Sequence, residues 1–171
     1  MSDKMAKKTA SNLAELNEYL KTQLSSVMKQ ELAQVVKETE SDMVEKEVYN
    51  RYKPSPKGKP WTYQRRGTDK GSGGLGDIEN MKAETAPTLT GVELTVTNTT
   101  TGQQDTDMQI ADLVEGGDNT NGKEYKHKGD GSGEYLEARP FQKETLRELQ
   151  ESGKAVDVLK KGLRARGLSA F

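Results

Sequence analysis

Few residues of this 171-residue chain are placed to do chemistry. His127 is the only histidine, and it stands between Lys126 and Lys128 in a Gly- and Asp-rich stretch. A general base needs an orienting partner and partial burial, and the sequence around His127 offers neither, so it reads as an exposed side chain. "GTDKGSGGLGD" is glycine-rich but lacks the G-x-x-x-x-G-K-[ST] order of a phosphate cradle. "DNTNG" and "DGSGE" have the composition of calcium loops without the D-x-[DN]-x-[DN]-G register and its distal Glu. They read as turns. Cysteine is absent, which excludes disulfides, thiolate nucleophiles and Cys-based metal sites. The sequence therefore predicts no enzyme, no cofactor and no metal.

Composition points to a partner-dependent protein. Apolar residues make up 31%, or about 41% with the 17 glycines added, against roughly 45–50% in an ordinary globular domain. Aromatics are 5%, so few large side chains are available for core burial. Such a chain is expected to be rich in loops and to complete its burial against copies of itself or other proteins. The net charge of -1 implies no global attraction to nucleic acid. Charge is nonetheless segregated: residues 51–70 are basic, and Asp105, Asp107, Asp112, Glu115 and Asp118 form an acidic stretch. No apolar h-region opens the chain and no apolar run reaches the ~18 residues of a membrane span. The expectation is a soluble product made in the cytoplasm.

These residues must be carried by a small set of elements. Residues 1–11 are expected to be a flexible N-terminus, and 12–171 one domain. Leu13, Leu16, Leu20, Leu24, Val27, Leu32, Val35, Val44 and Val48 recur at helical spacing after Ser11 or Asn12 as N-cap. The helix over 12–49 would be roughly 55 Å long at 1.5 Å per residue, longer than a domain of this size is wide, about 40 Å. It is expected to break near "KETESD", where Thr39 or Ser41 can cap a new start, or to protrude. Residues 50–88 read as an extended arm, because prolines and glycines exclude regular structure over most of it. Val92, Leu94 and Val96 alternate with polar residues as a half-buried strand, with Asp107–Ile110 its expected antiparallel partner after a turn at Thr101–Gly102. "IADLVEGG" reads as a short helix and 116–133 as a loop. A last helix carries Leu146, Leu149, Val156, Leu159 and Leu163 on one face, with a kink at Gly153 and an end at Gly162 or Gly167. The fold class is α+β: helices packed on a small antiparallel sheet, with a long arm.

Two stretches together carry a resemblance. The first is Val48-Tyr49, Tyr52 and Pro54, then Tyr63 with Arg65-Arg66, then Gly73-Gly74-Leu75. The second is Leu113-Val114-Glu115, a glycine, a variable loop, and Ala138-Arg139-Pro140-Phe141. In order and spacing the combination resembles the tail-completion, or tail-terminator (neck), proteins of long-tailed bacteriophages; the proline-rich insert 55–60 departs from that pattern. The resemblance implies a virion structural protein at the head–tail junction, without catalysis. It implies a ring, six copies being the expected number, that completes the tail, meets the head connector and tail tube proteins, and lets DNA pass, with no membrane involved. Tyr49, Tyr52, Trp61, Tyr63, Arg65, Arg66 and Arg139 are the candidate contacts with neighbouring subunits or other neck proteins, and Phe141 the candidate core anchor. The alternative is a nucleic-acid-binding accessory protein using the basic aromatic arm 51–70.

Overall fold

The computed structural model describes residues 12–51, 73–101, 109–116 and 138–169. The expected flexible N-terminus, the loop 117–133, most of the turn after Thr101 and the middle of the arm lie outside them.

Helix α1 (Leu13–Val27) begins at Asn12, whose Oδ1 accepts the Glu15 N–H at 2.9 Å. This satisfies one of the donors that the first turn of any helix leaves without an intrahelical acceptor. The helical path then continues to Tyr49 through a π-helical turn (Met28–Leu32), α2 (Ala33–Met43) and a second π-helical turn (Val44–Tyr49). No break falls at "KETESD", contrary to the sequence expectation, because the two candidate caps are used otherwise. Thr39 Oγ1 donates to Val35 O one turn back at 2.7 Å, and Ser41 Oγ leaves the helix to donate to Gly76 O at 2.6 Å. The adjustment comes from the π turns instead, each inserting one residue into the helical ladder. Its sequence trace is the step of five between the buried Val27 and Leu32.

The sheet is an antiparallel hairpin of β1 (Met81–Pro87) and β2 (Val92–Asn98), in register from Met81 opposite Asn98 to Pro87 opposite Val92. The β2 expectation holds, but its partner does not. Residues 81–87, read as the end of the extended arm, supply the second strand. Of the 107–110 segment, the described residues Gln109 and Ile110 supply an isolated bridge, Thr101 to Gln109, and the start of α3 (Ile110–Gly116). "MKAETAP" has no run of β-branched residues, so its strand is imposed by pairing with β2 and by contact with α1. Ser25 and Thr85 share a hydroxyl hydrogen bond of 2.8 Å, and Lys21 Nζ donates to Thr88 O at 2.8 Å near the hairpin turn.

The expected single C-terminal helix is two, α4 (Phe141–Ser152) and α5 (Lys154–Ala165). Gly153 separates them with φ +69°, a left-handed conformation that side-chain-bearing residues avoid. Leu146 lies off the face by which α4 buries Phe141, Thr145 and Leu149, and Val156 is also exposed, so the five-residue apolar face does not form as one buried surface. Gly167 ends α5: its N–H bonds Arg164 O while the Leu168 N–H reaches Leu163 O, the Schellman pattern. Gly162 has a different task. It lies buried where α5 crosses the first helix, and Arg166 ties the crossing by bonding Glu31, Gln30 and the Gly162 carbonyl.

Candidate assembly node

Beneath the crossing helices, residues far apart in sequence converge. Val44, Val48, Leu75, Ala111 and Phe141 form one buried cluster, with Met43, Tyr49, Ile110 and Val114 packed on it. The helix end brings Val48 and Tyr49 because residues 44–49 form a π turn that ends in an Asn50 N–H bond to Glu45 O. Leu75 arrives on a tight turn whose polar groups are satisfied locally. Asp77 accepts the N–H groups of Gly73 and Glu79, and Asn80 Nδ2 donates to Gly74 O at 3.2 Å. Phe141 is completely buried and closes the cluster from the first turn of α4.

Helix α4 enters this node without a side-chain cap of its own, since its N-cap residue is Pro140. Glu115 does the capping from α3. Its two carboxylate oxygens accept the N–H groups of Gln142 (2.8 Å) and Lys143 (3.1 Å), and Arg139 N–H bonds Val114 O at 2.8 Å. The positive end of the helix dipole adds to this attraction. The sequence elements "LVEG" and "ARPF" are therefore hydrogen-bonded to each other.

A polar seam joins the node to the sheet. Asn98 Nδ2 donates to both Leu75 O (2.8 Å) and Glu40 Oε1 (3.0 Å), while its Oδ1 accepts from the Thr100 hydroxyl at 2.7 Å. Glu40 is buried on α2. Burial pushes its carboxyl above the ordinary range, the Asn98 hydrogen bond opposes the rise, and the charge of Glu115 adds to it. Nothing in the sequence marked Glu40, Asn98 or Glu115 as a set. For Glu115 the usable signal was a helix opening on proline with no Ser, Thr, Asp or Asn before it.

Of the candidate contact residues, Tyr49 lies half-buried in this node with its phenol oxygen 3.4 Å from the Gly76 N–H. Its ring packs against the chain's own core. Arg139 is half-buried at the rim of the node. Tyr52, Trp61, Tyr63, Arg65 and Arg66 lie outside the described residues. Among the described residues no cluster of His, Asp and Glu could hold a metal ion, and no helix is long and apolar enough to cross a membrane.

The node ties the end of the first helical path to the turn at Gly76 through Tyr49, and α3 to the start of α4 through Val114 and Arg139. Fold and node define an α+β helical scaffold closed around one buried cluster. The chain belongs to the YomN family, whose model matches residues 12–165. That family is phage-derived, which makes this a phage-associated protein. No curated protein and no solved structure matches the chain.

Proposed function

We propose that the chain is a virion structural protein of the phage neck, a ring subunit that completes the tail and meets the head connector and the tail tube. The observation that carries this reading is the node. Val48, Tyr49, Leu75, Val114, Glu115 and Phe141, drawn from the two stretches on which the resemblance to tail-completion proteins rests, meet in one cluster and one cap. The described parts of those stretches therefore form one structural unit. Phage membership agrees with this reading. So does the sparse core of a chain whose apolar content calls for neighbours.

The test is a deletion of the gene in a phage that encodes it, with the lysate viewed by electron microscopy. Filled heads and separate tails, rejoined when the protein is supplied from a plasmid, are expected. Normal joined particles from the deletion would overturn the proposal.

A further inference from the structure

Away from the node, and apart from Leu89 at the hairpin turn, the exposed large apolar side chains of the described residues fall on two surfaces. The first is the N-terminal half of α1, where Leu13, Leu16 and Leu20 are 84%, 41% and 40% exposed. They continue the row that, two turns further on, buries Val27 completely. Steps of three and four keep them on one face, and the adjacent turns carry Glu15 and Glu18. Lys21, the sole basic residue of α1, is drawn to the hairpin by its bond to Thr88 O. The second surface is the α4–α5 pair, where Leu146 is 62% and Val156 52% exposed. Here the sign is opposite: α5 has Lys154, Lys160, Lys161 and Arg164 against Asp157, and although α4 sets Glu144, Glu148 and Glu151 against Lys143 and Arg147, with Glu148 taking Lys154, the pair of helices keeps a net positive charge.

We infer that the exposed leucine row of α1 in one copy docks on the exposed α4–α5 surface of a second copy. Pairing of α1 with α1 would set Glu15 and Glu18 against the same carboxylates, and pairing of α5 with α5 would oppose cations; both are disfavoured. The unlike pair brings apolar rows together with complementary charge around them. A contact between two different patches is head-to-tail, so it propagates and closes a ring when the rotation per copy allows. The inference rests on the ring reading for that closure and adds to it which surfaces meet.

Complementation tests it. Leu16→Asp and Leu146→Asp change exposed positions, and each variant is expected to melt like the parent. In sedimentation velocity over a concentration series, the parent is expected to form species larger than dimers, and each variant alone to stay monomeric. Mixed in equal amounts, the two variants retain one good contact, between Leu16 of one and Leu146 of the other, and are expected to stop at dimers. Loss of assembly in Leu16→Asp alone, with Leu146→Asp unaffected, would overturn the inference in favour of like-with-like α1 pairing. Full-size assemblies from both variants would place the contact elsewhere and leave the ring reading standing. A parent monomeric at every concentration would overturn both.

Discussion

Replacing Gly162 by alanine sets two effects of opposite sign against each other. In an exposed helix interior the change stabilises by about 1 kcal/mol, because alanine has less backbone freedom to lose and glycine is the poorer helix former. At Gly162 the added Cβ would fall 2.5 Å from Val27 Cγ1 and 2.6 Å from Glu31 Oε2. Glu31 can swing aside, at the expense of its 2.7 Å bond to Arg166. Val27 cannot, since it is completely buried on the facing helix. The helices must separate by something on the order of 1 Å, or Val27 must leave its rotamer, and overpacking of this kind costs roughly 1–3 kcal/mol. The net expectation is a variant less stable than the parent by up to about 2 kcal/mol. Urea denaturation followed by circular dichroism measures it. Combining Gly162→Ala with Val27→Ala lets the new methyl occupy the space vacated, so the double variant is expected to be more stable than the sum of the singles, by about 0.5–3 kcal/mol of coupling. A Gly162→Ala protein more stable than the parent would refute the close crossing of α5 over the first helix.

Phe141→Ala removes the ring that closes the node and is expected to cost ~3–5 kcal/mol; a thermal melt within a degree or two of the parent would deny it the anchor role. Glu115→Ala strips the cap from α4 and is expected to destabilise by about 0.5–2 kcal/mol, again by urea denaturation. For Glu40 the folded-state pKa is raised above its ordinary 4.5. The proton is therefore held more tightly in the folded protein, and the stability it supplies is full below the unfolded pKa and lost as pH rises through the folded one. Glu40→Gln is expected to flatten that loss, gaining on the parent as pH rises from about 4.5. A parent-to-variant difference in melting temperature that stays constant with pH would contradict the assignment.

The parts of the fold that follow local rules could be read from the chain. Asn12 caps α1, Val92, Leu94 and Val96 alternate through β2, and Phe141 after a proline is a core anchor. The parts that depend on tertiary contact could not. β1 has little strand propensity of its own, and Thr39 and Ser41 look like caps until Val35 O and Gly76 O take their hydroxyls. Two residues of a single kind illustrate the limit: Gly153 and Gly162 both sit in the C-terminal helical region, but one supplies a left-handed turn and the other a missing side chain. The sequence reads Gly153 as a kink, where the two helices do part, but reads Gly162 as a helix end, and nothing in the chain marks it as a crossing point. Tyr49 reads as the start of a partner-binding arm because it heads a run of aromatics and cations, and its contact with the core and the turn at Gly76 had no sequence signal. The exposure of Leu13, Leu16 and Leu20 was likewise hidden, because periodicity reports a face and not what covers it.

The central claim is tested most directly by a cryo-electron microscopy reconstruction of the head–tail junction in a virion that contains this protein. The account predicts a ring of copies between connector and tail tube, each fitting the helical path from Leu13 to Tyr49 and the α4–α5 pair. A junction whose density is fully explained by other proteins, with this chain absent from the particle or found elsewhere in it, would contradict it.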